Sequence, residues 1–310
     1  MIVLKDFDIS YYDKKSVVSI GTFDGVHVGH RKIINDLNTL KSSLNLRSVI
    51  VTFDPHPQVV LKSKHKDIKL LSTTSEKLNI FEKLGIDTVY VTSFTREFSQ
   101  TTAEDFYRNY IIEKVGLTDL VLGYDHMFGR NREGDYSTLK VLSQKHDFRV
   151  HRIEEFRING EQVNSTTIRN LLYSGDVEKA AFLLGENYSF EGKVVYGDRR
   201  GQTIGFPTAN IEPFDEFKLI PKNGVYLVSV SISDKSYFGM MNIGVRPTID
   251  KNGKIIIEVN VFNFDNNIYG KTVKVGFILF LREERKFGSL DELVMQLKKD
   301  REKCFKKLNL

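Results

Sequence analysis

The amino-acid sequence predicts a two-part protein, in which a parallel α/β domain is followed by an antiparallel barrel or sandwich with one C-terminal helix. Up to about residue 187, short runs of β-branched residues alternate with stretches of helical spacing, which is typical of a parallel sheet. From Tyr188 onward, extended runs follow one another across glycine, asparagine and aspartate turns. Strands joined without crossover helices pair antiparallel, which predicts the barrel or sandwich.

The first part contains strand candidates separated by helices. The strands are predicted at 17–21, 47–53, 87–93, 119–123 and 148–153. After the first strand, apolar residues recur at helical spacing at Ile33, Leu37, Leu40 and Leu44. Thr73 and Glu76 form a capping-box pattern that starts a second helix, and Gly85 ends it. A third helix runs from near Thr102 to Gly116.

The end of the first part contains a turn and a short helix. Asn159-Gly160 predicts a hairpin turn, after which Ser165 opens the helix. The change of pattern near 185–187 divides the chain into domains at 1–187 and 188–310.

The second part contains long strands and a final helix. The extended runs are 189–196, 224–233, 236–243, 254–264 and 271–282. Ser289 and Glu292 cap the last helix, whose apolar face consists of Leu290, Leu293, Val294, Leu297, Cys304, Phe305 and Leu308. Cys304 is therefore predicted to fill the core.

Composition excludes several classes of protein. The chain has 310 residues, of which 41% are hydrophobic, enough to build two cores and too many for a disordered chain. No stretch approaches the ~20 apolar residues of a membrane span, and the N-terminus lacks a signal-peptide pattern. The single cysteine excludes an intramolecular disulfide. We therefore expect a soluble protein of the reducing cytoplasm, without a membrane partner.

The net charge of +5 does not indicate a nucleic-acid partner. Residues 1–187 hold 25 basic and 25 acidic side chains, whereas residues 188–310 hold 20 and 15. Most of the excess lies in the tail 298–310, which has six basic and two acidic residues and is explained by a solvated helix face. The basic residues are not interleaved with aromatic ones, as they are in nucleic-acid-binding surfaces.

The first candidate site is the run GTFDGVHVGH at 21–30, between the first strand and the first helix. Glycines let the backbone approach a ligand, and the free N–H groups of a helix start favour phosphate oxygens. His27 and His30 are three residues apart, so both rings can face one phosphate. Two histidines at a helix start could also be ordinary caps or a metal pair, although the strand–glycine–helix context favours a functional role.

The second candidate site is the glycine-rich run at 197–210. Its three glycines recur every four residues, which suits a loop folded over phosphates, although ordinary hairpin connections also use glycine. Thr208 and Asn210 offer neutral oxygen ligands to a hard cation. Glu258 is the one acidic residue in the apolar run 255–264 and is either functional or simply an outward-facing strand residue.

Several motifs resemble one family, the bacterial bifunctional riboflavin kinase/FMN adenylyltransferases, also called FAD synthetases. The run at 21–30 resembles the HxGH signature of nucleotidyltransferases, and TFDPHP at 52–57 and GYDHMFG at 123–129 follow in the family's order. STTIR at 165–169 resembles a helix start of the same domain. In the second part, the run ending in PTAN at 207–210, NIGVRPT at 242–248 and LREERKF at 281–287 resemble riboflavin kinase motifs.

The resemblance implies a fold, two activities and a set of site residues. It implies a Rossmann-like nucleotidyltransferase domain followed by a riboflavin kinase β-barrel, which make FMN from riboflavin and FAD from FMN with ATP and Mg²⁺. Adenylyl transfer is assigned to His27, His30 and Arg169, and proton abstraction in the kinase to Glu258. Ligand binding is assigned to Gly21, Thr22, Phe23, Asp24, Asp125, Ser165, Thr166, Gly197, Asp198, Gly201, Gly205 and Arg282, and metal binding to Thr208 and Asn210.

The chain departs from the family pattern at His126, Asn164 and Gln202, which stand where phenylalanine, serine and arginine are usual.

Two other functions fit parts of the sequence. One is an HxGH enzyme that adenylylates another substrate and has an RNA-binding barrel, which the even charge of the first part disfavours. The other is a flavin carrier without turnover, which the intact Thr208, Asn210 and Glu258 disfavour.

Overall fold

The computed structural model of the chain contains two compact units, Met1–Ser165 and Thr166–Leu310. It describes residues 1–61, 68–124, 126–158, 160–197, 201, 204–233, 235–246 and 254–310.

The first unit is built on a six-stranded parallel sheet with the order β1-β4-β3-β2-β5-β6. Its strands are β1 (Ile2–Lys5), β2 (Ser16–Ile20), β3 (Arg47–Asp54), β4 (Thr88–Ser93), β5 (Asp119–Leu122) and β6 (Arg149–Arg152). Every residue of β2 is buried, as expected for a central strand covered on both faces. The five predicted strands are confirmed, and β1, a four-residue edge strand paired with β4, was missed.

Helices cover the two faces of this sheet. They are α1 (Val28–Leu44), α2 (Pro57–Val60), α3 (Thr74–Lys83), α4 (Ala103–Phe106) with a π-helix over Tyr107–Val115, and α5 (Tyr136–His146). Short 3-10 turns occupy Ile9–Tyr11, Phe98–Gln100 and Arg130–Arg132. Both hydrogen bonds of the predicted Thr73–Glu76 capping box are present, which fixes the start of α3. A two-stranded hairpin of β7 (Arg157–Ile158) and β8 (Glu161–Gln162) follows, and Asn159 of its predicted turn lies outside the described residues.

The second unit is a closed barrel in which all strands pair antiparallel, in the order β10-β13-β12-β11-β14-β9. Its strands are β9 (Ser189–Val195), β10 (Ala209–Pro213), β11 (Gly224–Ile232), β12 (Lys235–Arg246), β13 (Lys254–Val261) and β14 (Thr272–Arg282). The barrel is therefore confirmed over the sandwich. The sequence pattern missed β10, whose asparagine, glutamate and proline are poor strand formers.

The C-terminal helix α8 (Leu290–Leu308) packs on the outer face of the barrel. Cys304 is fully buried there, as predicted, and burial raises the pKa of its thiol to about 12. Asp300, also fully buried, accepts a 2.8 Å hydrogen bond from Nε of Arg282 on β14. Leu290 is an exception to the predicted apolar face, because it begins the helix and is 67% exposed.

Two further helices pack with the barrel. They are α6 (Ser165–Ser174), which continues from the first unit, and α7 (Val177–Leu184), which packs against β14. The buried residues of α7 are Val177, Ala180, Leu183 and Leu184. Because α6 and α7 pack with the barrel, the chain divides into compact units after Ser165 and not at residue 187. The domain boundary at 187/188 stays a prediction.

We expect a fragment of residues 164–310 to be more stable than one of residues 188–310. The shorter fragment loses the apolar packing of α7, an effect of about 4 kcal/mol. For a unit of this size that loss lowers the thermal midpoint by roughly 10–20 °C. Thermal unfolding of both fragments followed by circular dichroism measures the difference. Equal midpoints would show that α7 does not stabilise the barrel.

Candidate functional site

The first site lies where the sheet order reverses. The chain passes from β2 through α1 to β3 on one side, and it later returns through β5 to the other side of β2. In parallel sheets, ligands bind at the carboxyl ends of the strands that flank such a reversal. The motif starting at Gly21 leaves the carboxyl end of β2, and the motif starting at Gly123 leaves that of β5. Two motifs distant in sequence therefore begin at adjacent strand ends.

The loop between β2 and α1 is held in an unusual backbone conformation. Phe23, Gly25 and Val26 have positive φ angles of 49°, 81° and 38°. The Asp24 carboxylate is buried and accepts hydrogen bonds from the backbone N–H groups of Leu71 (2.9 Å) and Ser72 (3.0 Å). These bonds tie the loop to the start of α3. Asp24 thus has a structural contact in addition to its predicted ligand-binding role.

Gly21 and Gly29 allow aromatic rings to approach the backbone closely. A Cβ atom at Gly21 would lie 3.2 Å from the Phe23 ring, and one at Gly29 would lie 3.2 Å from the His27 ring. Phe23 is buried and packs edge-on against His30, with ring centroids 5.2 Å apart. The glycines therefore leave room for the rings that line the start of α1.

The two histidines stack on each other at the helix start. Their ring centroids are 3.7 Å apart and the planes are inclined by 15°. Nδ1 of His27 accepts a hydrogen bond of 3.3 Å from the His30 backbone N–H and so caps α1. Burial, with the nearby His27 and Lys77, holds the pKa of His30 well below its usual range. His30 is therefore neutral at pH 7 and can donate only one ring N–H.

Lys77 of α3 is a functional candidate that the sequence interpretation missed. It is only 3% exposed, and its Nζ donates hydrogen bonds to the carbonyl oxygen of Thr22 (3.1 Å) and to Oγ1 of Thr52 (3.3 Å). The sequence contained one sign of this role. Lys77 directly follows the Thr73–Glu76 capping box, in the first turns of a helix, where a positive charge is unfavourable.

Among the remaining predicted residues of the first site, Ser165 contacts the loop after β2. Oγ of Ser165 donates a 3.0 Å hydrogen bond to the carbonyl oxygen of Asp24, which joins it to the loop. Thr166 and Arg169 lie on α6, which packs with the second unit, and their roles stay predictions. Asp125 lies outside the described residues.

His126 belongs to an aromatic cluster beside the carboxyl end of β5. Its ring stacks on Phe128 at 5.4 Å, and Nε2 lies 3.3 Å from the hydroxyl of the buried Tyr107. Burial lowers the pKa of His126 to about 4. The histidine that replaces the family's phenylalanine thus packs as a neutral ring.

The second site lies on the outer face of the barrel. Glu258 of β13 is directly opposite Asn210 of β10 and opposite Asn242 of β12. The flanking Ile257 and Val259 are buried, so Glu258 faces away from the barrel interior and is half-buried. The interpretation that the Glu258 side chain faces outward is thus confirmed. The same outer face also carries Asn210, the predicted metal ligand.

Glycines of the 197–210 run pack against these polar residues. The amide of Asn210 occupies the space that a side chain at Gly197 would fill. A Cβ atom at Gly201 would collide with the carbonyl oxygen of Phe206 and would lie 3.4 Å from Oγ1 of Thr208. Gly205 has a φ of 77°, which favours glycine. Asp198 and Gln202 lie outside the described residues.

Arg282 has a structural contact beside its predicted role in ligand binding. Its ion pair with Asp300 anchors α8, and its guanidinium carbon lies 5.7 Å from the centre of the Phe287 ring. Both residues belong to the LREERKF motif, so the contact between Arg282 and Phe287 holds the end of that motif near the end of β14.

Neutral oxygens at Thr208 and Asn210 suit a magnesium ion that takes most of its ligands from phosphates and water. Within the described ranges, no group of three or more His, Cys, Asp and Glu side chains is arranged to hold a metal by itself. The chemistry of this donor set fits a metal that arrives with a nucleotide.

Comparison with known proteins covers both units. The FAD synthetase family model matches residues 9–167, and the riboflavin kinase family model matches residues 184–308. A bifunctional riboflavin kinase/FMN adenylyltransferase from Listeria monocytogenes is 36% identical over 288 residues, 93% of this chain and 91% of that protein. The protein of that name from Bacillus subtilis is 34% identical over 296 residues, 94% of this chain and 92% of that protein.

A solved structure shows the same fold over the whole chain. It is named as a macrolide-efflux protein from Streptococcus pneumoniae and has a TM-score of 0.89 at 31% identity, covering 97% of this chain and 98% of that one. The efflux function in that name refers to that protein alone. In the part of this chain that the structure describes, no helix has the length and hydropathy to cross a bilayer. From the two family matches and the relatives similar over most of their length, the chain belongs to the bifunctional riboflavin kinase/FMN adenylyltransferase family.

Proposed function

We propose that the second unit phosphorylates riboflavin to FMN and that the first unit transfers AMP from ATP to FMN, which yields FAD and pyrophosphate. One observation in each unit carries the proposal. In the first unit, the stacked His27 and His30 lie at the start of α1, at the reversal point of the sheet. In the second unit, the predicted base Glu258 is directly opposite the predicted metal ligand Asn210.

Adenylyl transfer needs positioning and charge stabilisation more than a base. A phosphate oxygen of FMN is already a nucleophile, and it attacks the α-phosphorus of ATP as the bond to the leaving pyrophosphate breaks. His27 and the neutral His30 then donate hydrogen bonds to the phosphate oxygens, where negative charge develops. The N-terminus of α1 adds its partial positive charge. Ser165, Thr166 and Arg169 are assigned supporting contacts, and the 21–24 loop with Asp125 the binding of the nucleotide.

The kinase step needs a proton acceptor. The 5′-hydroxyl oxygen of riboflavin forms a bond to the γ-phosphorus of ATP, the bond from that phosphorus to the β–γ bridging oxygen breaks, and ADP leaves. The Glu258 carboxylate takes the hydroxyl proton. Gly197, Asp198, Gly201 and Gly205 are assigned to the loop that covers the phosphates, and Arg282 to ligand binding.

Thr208 and Asn210 are the residues that would hold Mg²⁺. The bound ion supplies neutralisation of phosphate charge.

The proposed partners are small molecules, namely ATP, riboflavin and FMN, and neither nucleic acid nor membrane is among them. The equal numbers of basic and acidic residues in 1–187 support this, and we assign the chain to the cytoplasm.

The direct test is incubation of the purified full chain with riboflavin, ATP and Mg²⁺, followed by chromatography. We expect FMN to appear first and FAD to follow. Binding of flavin without either product would indicate a flavin carrier. Pyrophosphate release that depends on another acceptor, with no FAD from FMN, would indicate an adenylyltransferase for a different substrate.

Glu258→Gln should lower the kinase kcat by ~10²–10⁴-fold, because the amide keeps the shape of the side chain but does not accept the proton. FMN supplied externally should still become FAD at the wild-type rate. Glu191→Gln on β9, another half-buried strand glutamate, is the matched control and should leave both rates unchanged. A kinase rate within about threefold of wild type would remove Glu258 from the mechanism.

His30→Ala should lower adenylyl transfer by roughly 10²-fold or more, since it removes a donor that acts on developing charge. His30→Gln keeps a donor of similar reach and should recover part of the loss. Riboflavin phosphorylation by the same variants serves as the internal control for folding. If both reactions decline equally, the histidine supports the fold and is not part of the chemistry.

The first unit should lose stability on acidification through His126. Its folded pKa of about 4 is below the ordinary value of 6.5, so between these pH values the unfolded chain binds a proton that the folded chain does not. The free energy of unfolding should therefore fall as pH decreases from about 6.5 to 4, and part of this dependence should be absent in His126→Phe. Denaturant unfolding of both proteins at pH 5 and pH 7.5 measures it. An identical pH dependence in the two proteins would contradict the assignment.

A further inference from the structure

Lys77 joins the glycine loop to the sheet through a closed ring of hydrogen bonds. Its Nζ donates to the carbonyl oxygen of Thr22 at 3.1 Å and to Oγ1 of Thr52 at 3.3 Å. Oγ1 of Thr52 in turn donates to the same carbonyl oxygen at 3.3 Å. The Thr22 carbonyl therefore accepts two hydrogen bonds, one of them from a cation.

The environment of Lys77 is unfavourable for an ammonium group. The side chain is 3% exposed, and burial lowers its pKa, whereas Asp24 and Asp54 oppose that shift from a distance. Among the described residues, no carboxylate lies within ion-pair distance of its Nζ. A buried cation without a paired carboxylate costs stability, and a methionine of similar volume would avoid that cost. Stability alone does not account for this lysine.

The hydrogen-bond ring determines where the next N–H points. The peptide that joins Thr22 to Phe23 is planar and trans, so the Phe23 N–H points opposite to the Thr22 carbonyl. In the described part of the chain, that N–H has no hydrogen-bond acceptor. Lys77 from α3 and Thr52 from β3 hold the carbonyl, so the Phe23 N–H is directed to the opposite side of the loop that follows β2.

The cation also strengthens the donor. Hydrogen bonds to a carbonyl polarise its peptide group, and a charged donor does so more strongly than a neutral one. The N–H at the other end of the same peptide then becomes a better donor to an anion. Phosphate oxygens are the anions that strand–loop–helix turns of this type bind.

We propose that Lys77 is a positioning residue for adenylyl transfer, which acts through Thr22 to orient and polarise the Phe23 N–H as a donor to a phosphate oxygen of the bound nucleotide. The inference rests on the adenylyltransferase function proposed for the first unit. It assigns a role to a residue outside the HxGH motif, on a helix that provides no other proposed site residue.

The test compares variants of the full chain in steady-state conversion of FMN to FAD. Lys77→Met removes the charge and both hydrogen bonds but keeps the volume, and Thr52→Val removes one member of the ring and leaves the ammonium. Lys83→Met, at an exposed position on the same helix, is the matched control. Each protein is also assayed for riboflavin phosphorylation and for its thermal midpoint.

We expect Lys77→Met to lower kcat/KM for ATP by ~10- to 100-fold, the size of loss found when a residue that orients a metal ligand is removed. KM for FMN and the kinase rate should remain near wild type, and the thermal midpoint should stay equal or rise because a desolvated charge is lost. Thr52→Val should show a smaller loss in the same parameter, and Lys83→Met none. A stable protein with reduced kcat/KM for ATP is a result that a purely structural lysine does not produce.

Two results would overturn the inference. One is a Lys77→Met protein with kcat/KM for ATP within about threefold of wild type, well below the expected loss. The other is a loss of adenylyl transfer that accompanies an equal loss of thermal stability, while Thr52→Val stays at the wild-type rate. Lys77→Gln, which keeps a neutral donor, is measured in parallel and provides the comparison if Lys77→Met does not fold. An inactive wild-type protein would instead refute the proposed adenylyltransferase function.

Discussion

The buried carboxylate of Asp24 holds the loop on which the first site depends. A turn with three positive φ angles in six residues is unfavourable unless surrounding contacts maintain it. The Asp24 carboxylate accepts hydrogen bonds from the backbone N–H groups of Leu71 and Ser72. The backbone carbonyl oxygen of Asp24 accepts a hydrogen bond from the Ser165 hydroxyl. One short loop thereby connects β2, the start of α3 and Ser165 at the end of the first unit. The stacked histidines keep their arrangement because the loop that leads into α1 is held in this way.

The two units place their candidate site residues by different rules. In the first unit, a reversal of strand order brings two loop motifs to adjacent strand ends, and buried polar groups then orient them. In the second unit, antiparallel register places Asn210, Glu258 and Asn242 side by side on one face. Helix α8 covers the apolar part of that face and is anchored by the ion pair of Arg282 with the buried Asp300. The polar row is thus left at the half-buried edge of the apolar cluster.

Most of the fold followed from local pattern, and its exceptions have physical causes. The long apolar strands and the capped helices α3 and α8 were predicted because apolar spacing and capping patterns can be recognised within a short stretch of sequence. The strands β1 and β10 were missed, because one has four residues and the other contains residues that disfavour strands. Both form through pairing with distant strands, which local propensity does not record.

By itself, the sequence determined the order of the two domains, the glycine-rich loops and the identity of the histidine and glutamate candidates, because these depend on residue type and spacing. Only the tertiary structure decided which groups meet. It showed that Glu258 is opposite Asn210, that Arg282 pairs with Asp300, and that a lysine from α3 reaches the loop after β2. Such contacts join residues far apart in the chain, and a buried charge is recognised only when the atoms around it are known.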